Sequence, residues 1–445
     1  MFTLWGRQHR NCDGIGRREF LRLGGLGLGT LTLADLLQAD ELPANKGKRP
    51  KSVIYVVLSG GISHIDTWDP KPEAPVEYRG EFTTIPTKLP GVRFCDLFPK
   101  QASIMDRLAI LRGVQSVEND HFLSEVYSGL PRTSGKRPAF GSIVSKLATS
   151  QSPLPPYVCL NEATTDQFEF EKPQYVGAGH GPFRPFGDAL ENLSPVKLAD
   201  RLEDRRGLLA KMNEFRRGLD KSDAFAGLDR FQSQALQMIT SPQVRAAFDL
   251  SKESPQTIER YGRGKYTHQT VKHLIYDWEA KRFLMARRLV EAGVRVVTLQ
   301  CGSWDHHSSP DQHIFESYKL CLPALDHSIH ALVTDLEERG LSEDVLVVVL
   351  SEFGRTPKLG YPGPGREHWA DAGCALFAGG GLKMGQVIGE TDTRAEKSTS
   401  VRITFQNIMA TIYRVLGIDP TIKLPSFTGR PQYILEDPQP VAELV

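Results

Sequence analysis

The sequence predicts an α/β fold in which helices flank a mainly parallel central sheet. Two observations support this fold class. Short apolar runs recur along the chain, and polar clusters directly follow several of them. A strand that is covered by helices on both faces is apolar at nearly every position. The runs that fit this pattern are residues 52–58, 107–111, 157–160, 294–299, 345–350 and 374–378.

We expect residues 45–445 to form a single domain, because a chain of 445 residues can bury one large core. A helical insertion is predicted over residues 195–292, where charged residues alternate with apolar ones at helical spacing, such as Leu228, Phe231 and Ile239. Its second half, residues 271–291, is predicted to be one long helix that stops at Gly293.

The C-terminal region is predicted to contain one helix followed by a surface tail. Residues 403–416 have helical periodicity, and Gly417 is a suitable residue to end the helix. The tail over residues 418–445 is rich in proline. We expect this tail to wrap around the surface.

Composition excludes some classes of function. Lys and Arg total 54 against 53 Asp and Glu, so no net positive field favours nucleic acid, and we expect no nucleic-acid partner. The six cysteines include no C-x-x-C pair, which argues against a zinc ribbon or a redox dithiol and favours buried apolar roles. No G-x-S-x-G motif is present, so a serine hydrolase of the α/β class ranks last.

Residues 1–44 are predicted to be an export signal and linker. Arg17 and Arg18 precede an apolar stretch over residues 23–34, which is shorter than the ~20 residues of a membrane-spanning helix. This arrangement resembles a twin-arginine export signal, although an amphipathic N-terminal helix is the alternative. The expectation is export by the twin-arginine machinery to the periplasm or the exterior, with no transmembrane span. Cleavage is expected near Ala39 or Ala44.

The polar clusters after the predicted strands suggest a metal centre. Ligands of an open α/β sheet bind outside the carboxyl ends of its strands. The candidate metal ligands there are His64, Asp66, Asp305, His307, Glu352 and His368. A mixed set of carboxylates and imidazoles favours one or two zinc, iron or manganese ions over calcium. Asp305 and His307 are two residues apart, so an extended backbone places both on one face.

Each of these residues also has a simpler interpretation. Asp305 could cap a helix from a polar loop, and His64 with Asp66 could form a turn. Arg355 could bind an anionic substrate group bidentately, or it could form an ion pair with Glu352 that closes a loop.

Several motifs together resemble a family of exported bacterial proteins, domain of unknown function 1501 (DUF1501), which is itself similar to the alkaline phosphatase–sulfatase superfamily. The motifs lie at residues 60–72, 304–307, 351–357, 365–369, 379–381 and 429–430. The resemblance implies a three-layer, alkaline-phosphatase-like architecture. It also implies that Asp305, His307 and His368 form one metal set, and that Glu352 with Asp66 or His64 forms a second or shared set.

The resemblance also places Asn119 where superfamily enzymes carry a nucleophile, and an amide is a poor nucleophile. Two alternatives therefore remain open. Metal-activated water attacks the substrate, with His121 or Asp120 as a base and Arg355 as the anion clamp, or the site binds without turnover. The expected function is an exported metal-dependent hydrolase of phosphate or sulfate esters on a small molecule, polysaccharide or lipid. The alternative is a non-catalytic metal-binding, anion-binding or scaffold protein.

Overall fold

The computed structural model describes residues 50–148, 152–161, 170–186, 241–262, 265–271, 274–309 and 313–445, with the backbone alone for residues 265–271 and 274–279. These residues belong to one compact unit, Pro50–Asp204 with Phe231–Val445. The predicted export signal and residues 195–240 of the predicted insertion lie outside the described residues. Within the described ranges, no helix combines the length and the apolarity that crossing a bilayer requires.

The strands are β1 (Ser52–Val57), β2 (Thr84–Pro86), β3 (Arg93–Cys95), β4 (Ala109–Gln115), β5 (Tyr157–Cys159), β6 (Lys265–Val271), β7 (Leu274–Glu279), β8 (Val296–Gln300), β9 (Val345–Leu350), β10 (Gly354–Arg355), β11 (His368–Trp369), β12 (Gly373–Gly379), β13 (Gln386–Ile388), β14 (Ile403–Thr404), β15 (Lys423–Pro425) and β16 (Pro431–Tyr433). The α-helices are α1 (Val76–Arg79), α2 (Pro99–Ser103), α3 (Ser124–Ser128), α4 (Phe140–Leu147), α5 (Pro242–Phe248), α6 (Pro255–Tyr261), α7 (Lys281–Glu291), α8 (Ile314–Glu338) and α9 (Phe405–Val415).

Eight strands form the central sheet in the order β13-β4-β12-β9-β1-β8-β5, with β14 paired to β4. All six strands predicted from the apolar runs belong to it. Within this sheet, only β12 is antiparallel to its neighbours β9 and β4. Strands β4 and β9 are therefore parallel to each other. The prediction of a mainly parallel sheet is confirmed.

The sheet separates two hydrophobic cores, which makes the architecture three-layered. Val53, Tyr55 and Val57 of β1 point into one core, and Ile54 and Val56 point into the other. This alternation explains why β1 is apolar at consecutive positions. Helices α7 and α8 cover one face, whereas α3, α4 and α9 cover the other.

Two predictions about local structure need correction. The predicted helix over residues 271–291 is helical only in its second part, because β6 and β7 form an antiparallel hairpin that precedes α7. Pairing between two adjacent segments overrides the helical spacing there. The C-terminal tail is more than a surface wrap, since β15 and β16 pair and Leu435, Val441 and Leu444 are buried.

Two other local predictions are confirmed. Helix α9 ends within the predicted range, with Gly417 at a φ of 75° just beyond it. The five cysteines of the described ranges are free and buried.

Candidate metal centre

The first loop of the site follows β1 and depends on Gly60 and Gly61, whose φ angles lie in the left-handed region. Gly60 has a φ of 105°, and a Cβ atom there would lie 2.7 Å from the backbone nitrogens of Trp304 and Asp305. Only a glycine therefore allows the two loops to approach each other this closely. The Gly60 amide also donates a 2.7 Å hydrogen bond to Oε1 of Glu352, just after β9.

Asp305 and His307 lie in the loop after β8. The Trp304 amide donates to the carbonyl of Ser59 at 3.0 Å, which anchors this loop against the one that follows β1. Nε2 of His307 lies 2.8 Å from Oδ1 of Asp305. His306 is 1% exposed and packs edge-on against Tyr318, so the two histidines point in different directions. The structure brings Asp305 and His307 together as their spacing predicts.

Two more imidazoles approach Asp305 from other elements. His368 lies opposite Arg355 in the β10–β11 pair, and its Nε2 is 3.6 Å from Oδ1 of Asp305. His121 follows β4, and its Nε2 is 3.2 Å from Oδ2 of the same carboxylate. Because β4, β8 and β9 are parallel, the loops that follow them meet at one edge of the sheet.

Together, His121, Asp305, His307 and His368 form a cluster whose ligand atoms lie within 4.8 Å of one another. Nε2 of His121 and of His368 is buried and makes no hydrogen bond within the described part of the chain. Buried polar atoms are normally satisfied. Three imidazole nitrogens and a carboxylate oxygen are a donor set that zinc, iron and manganese accept. The residues present therefore fit a divalent metal ion.

The opposite nitrogen of each histidine faces a hydrogen-bond acceptor. Nδ1 of His121 is 3.0 Å from Oε1 of Glu352, and Nδ1 of His368 is 2.9 Å from the carbonyl oxygen of Asn119. Nδ1 of His307 contacts Oε2 of Glu367. Since an ionised carboxylate and a carbonyl can only accept, Nδ1 carries the proton in each ring. A neutral ring then directs its Nε2 lone pair at the cluster.

The carboxylates also control the charge on the cluster. Burial lowers the pKa of His121, but the adjacent carboxylates of Asp305 and Glu352 outweigh it and raise this pKa to about 9. Burial raises the pKa of Asp305, yet the histidines and Arg355 bring it well below its ordinary value. A hydrogen bond to Asp305 raises the pKa of His307. A metal ion would have to displace the protons held on these imidazoles.

Arg355 was predicted to bind an anionic group of the substrate, and the structure shows its guanidinium bound to protein oxygens. It is fully buried and donates to the carbonyl oxygens of Gly61 and Arg366, both at 2.9 Å, and to Gly60. It also donates to Oδ1 of Asp305. The guanidinium therefore holds the central carboxylate in position, and its donors contact protein oxygens.

Three of the predicted metal ligands lie outside the four-residue cluster. Asp66 forms a fully buried ion pair with Arg366, and Nε2 of His64 is 2.9 Å from the carbonyl oxygen of Ala395. Glu352 is 3% exposed, and its carboxylate contacts a ring nitrogen of His121. The structure thus separates His64 and Asp66 from Asp305, and it places Glu352 behind a histidine.

The predicted catalytic residues of the loop after β4 take different positions. His121 joins the cluster itself, whereas Asn119 is exposed and contributes its backbone carbonyl. Asp120 accepts a 3.1 Å hydrogen bond from the amide of Phe122.

Sequence reasoning missed two residues that shape the site. Glu367 precedes His368 directly and could have been recognised as an acidic neighbour of a ligand. Phe353 is 4% exposed, and its ring centroid lies 4.4 Å from that of His368 and 5.4 Å from that of His121. No sequence pattern predicts that Phe353 packs against these histidines, apart from its position between Glu352 and Gly354.

The sequence profile of a family described as "Protein of unknown function (DUF1501)" matches residues 50–445. No curated protein matches the chain.

Three solved structures illustrate the structural likenesses. Ps i-CgsB in complex with k-i-k-neocarrahexaose is 12% identical, with a TM-score of 0.36 and coverage of 83% of this chain and 72% of that one. The lipoteichoic acid synthase LtaP from Listeria monocytogenes is 10% identical, with a TM-score of 0.36 and coverage of 89% and 78%. The PsFucS1 sulfatase from Pseudoalteromonas sp. is 12% identical, with a TM-score of 0.33 and coverage of 91% and 72%. At these values, the likenesses assign neither an activity nor a substrate to this chain.

Proposed function

This chain belongs to the DUF1501 family, as its motifs predict, and we propose that it is an exported metal-dependent hydrolase of phosphate or sulfate esters. The observation that carries the proposal is the convergence of three imidazole nitrogens on the Asp305 carboxylate. Their opposite nitrogens are fixed by Glu352, Glu367 and the Asn119 carbonyl. Such supporting partners are typical of protein metal sites.

In this proposal, His121, Asp305, His307 and His368 hold one zinc, iron or manganese ion. A bound divalent ion would polarise an ester oxygen and lower the pKa of water. Arg355 fixes the orientation of the Asp305 carboxylate, and Glu352 fixes the orientation of the His121 ring. Phe353 packs against two of the rings and keeps water away from that side.

The exposure of the cluster supports a reactive role over a structural one. Structural zinc sites are closed, whereas catalytic sites remain open to substrate. The side chains of His307, His121 and Asp305 are 36%, 31% and 25% exposed. A substrate can therefore reach the cluster from solvent. Because His121 is assigned to the metal, the neighbouring Asp120 becomes the side chain proposed as the base.

Export is part of the proposal and depends on the N-terminal residues. Arg17 and Arg18 with the apolar stretch over residues 23–34 support the twin-arginine route. That route carries folded chains, which is compatible with loading a metal before export. Replacing both arginines by lysine should retain the chain in the cytoplasm, and unchanged export of the variant would reject the route.

The metal content of the purified chain tests the central assignment. We expect about one equivalent of zinc, iron or manganese by elemental mass spectrometry, and its loss in Asp305→Ala and His121→Ala. His330→Ala is the matched control, because His330 lies on α8 outside the cluster. Metal retained in both cluster variants would reject the ligand set.

Turnover is tested with aryl phosphates and aryl sulfates. The hydrolase proposal requires cleavage that depends on added metal and disappears in Asp305→Ala. One observation favours the non-catalytic alternative: the position that the resemblance assigns to a nucleophile is an asparagine whose backbone, not its side chain, contacts the cluster. A metal-loaded chain that binds phosphate or sulfate without cleaving any ester would support that alternative.

A further inference from the structure

A cationic side chain near the cluster would help to bind an anionic ester. Arg355 does not offer an unoccupied guanidinium, since its donors contact three carbonyl oxygens and Asp305. Arg366 is also fully buried and donates to Asp66. We propose that Arg132, stacked on Phe122, forms the anion-binding subsite beside the metal cluster. This inference rests on the proposed function and adds to it the residue that recognises the tetrahedral oxyanion of the substrate.

The position of Arg132 is set by the ring of Phe122, the residue that follows the cluster histidine His121 in the chain. Its Cζ atom lies 3.5 Å from the centroid of the Phe122 ring. Phe122 follows His121 directly, so the two Cα atoms are about 3.8 Å apart. Phe122 also packs edge-on against Phe170, with ring centroids 5.9 Å apart. Stacking on a supported ring holds the guanidinium over Phe122, the residue that follows His121 in the chain.

The backbone around Arg132 is tied to the loop that carries His121. The Arg132 amide donates a 2.7 Å hydrogen bond to Oε1 of Glu118. Oε2 of Glu125 in α3 accepts hydrogen bonds of 2.8 Å from the amides of Val117 and Glu118. Arg132 and the loop that presents Asn119 and His121 are thus held as one unit.

The guanidinium of Arg132 is available to a ligand. The residue is exposed, and within the described ranges its guanidinium stacks on the Phe122 ring without a side-chain hydrogen bond, while the Glu118 carboxylate lies within electrostatic reach. Its N–H donors can therefore bind a ligand along the edge of the stacked plane. A planar guanidinium can donate two parallel hydrogen bonds to two oxygens of a phosphate or a sulfate. Both anions share this tetrahedral oxyanion chemistry, and the structure does not favour one of them.

The test compares wild type, Arg132→Ala and Arg132→Lys in the metal-loaded chain. Arg107→Ala is the matched control, because Arg107 is a part-exposed arginine that pairs with Glu337 at the amino end of β4, the opposite edge of the sheet. The measurements are KM and kcat for an aryl phosphate and an aryl sulfate, the inhibition constants of inorganic phosphate and sulfate, and metal content. Without turnover, equilibrium dialysis of the two inorganic anions replaces the kinetics.

We expect Arg132→Ala to raise KM and the anion inhibition or dissociation constants about 10-fold, with unchanged metal content. Lysine should recover part of this loss through its charge, and Arg107→Ala should match wild type. Phosphate and sulfate are distinguished by which constant is lower in wild type. Anion constants that are identical in wild type and Arg132→Ala would overturn the subsite while leaving the hydrolase proposal intact. A wild-type chain that holds no metal and binds neither anion would overturn both.

Discussion

Nδ1 of His121 lies 3.0 Å from Oε1 of Glu352, on the side of the ring that faces away from Asp305. Glu352 is buried and also accepts the Gly60 amide, so one carboxylate joins the loops that follow β1, β4 and β9. In the proposed site, Glu352 therefore positions an imidazole and lies outside the four-residue cluster. This distinction can be measured.

The first prediction concerns Glu352→Ala. We expect metal affinity to fall by roughly 10- to 100-fold, with full stoichiometry restored at high metal concentration, because the four cluster residues remain. Glu352→Gln should retain more affinity, since its amide oxygen can still accept from Nδ1 of His121. Titration against a competing chelator measures both variants. If the Glu352→Ala variant could not be saturated at any metal concentration, Glu352 would be a direct ligand instead.

The second prediction concerns the buried ion pair between Asp66 and Arg366, whose side chains are both 0% exposed. Asp66→Asn leaves a buried guanidinium without its counter-charge, so we expect a loss of roughly 3–5 kcal/mol in the free energy of unfolding. Metal stoichiometry of the folded variant should be unchanged.

Urea unfolding measures the stability of this variant. Glu316→Gln is its control, because Glu316 pairs with Lys319 on the exposed surface of α8 and should change stability little. Metal loss from folded Asp66→Asn would return Asp66 to the ligand set.

The third prediction compares two glycines with nearly equal φ angles, Gly61 at 80° and Gly91 at 81°. A Cβ atom at Gly61 would lie 2.8 Å from Cδ2 of Phe353 and 2.9 Å from Nε of Arg355, whereas at Gly91 it would meet nothing within 4 Å. Gly91→Ala should therefore cost about 1 kcal/mol through the backbone alone.

Gly61→Ala should cost more and should also weaken metal binding, because it displaces Phe353 from His368. Unfolding in urea and metal titration of both variants test this difference. Equal stability losses would show that the site accommodates the methyl group.

The fourth prediction concerns the pH dependence that Glu125 introduces. Burial raises its pKa from an ordinary value of 4.5 to about 7, although it accepts hydrogen bonds from the amides of Glu118 and Val117. The folded chain thus holds the proton more tightly than the unfolded chain does. The stability from this carboxyl group is fully present below 4.5 and is lost as pH rises through about 7.

Glu125→Gln keeps an accepting oxygen but cannot ionise. Between about pH 5 and about pH 8, the stability of wild type should fall relative to this variant by roughly 2 kcal/mol. Urea unfolding at both pH values measures the difference. A difference that does not change with pH would mean that Glu125 ionises as an ordinary exposed carboxyl group.

The sequence was sufficient to predict the sheet, and it named every residue of the four-residue cluster as a candidate. Apolar runs identify all six main strands because a strand between two cores, such as β1, has no polar face. The polar cluster after β8 points to Asp305 and His307 because residues after parallel strands lie at one edge, whereas the prediction of His368 rests on its motif and the glycine-containing loop before it. The predicted helix over residues 271–291 failed where hairpin pairing of β6 and β7 outweighed helical spacing.

Only the tertiary structure decided which residues meet. Whether Arg355 reaches a substrate or holds Asp305, and whether Asp66 joins a metal or pairs with Arg366, depends on loops that are distant in sequence. The same holds for His121, which the family resemblance presents as a base and the fold places beside Asp305. Local sequence determines strands because hydrophobic burial acts residue by residue. Contacts between loops depend on strand order and register, which the whole chain determines when it packs.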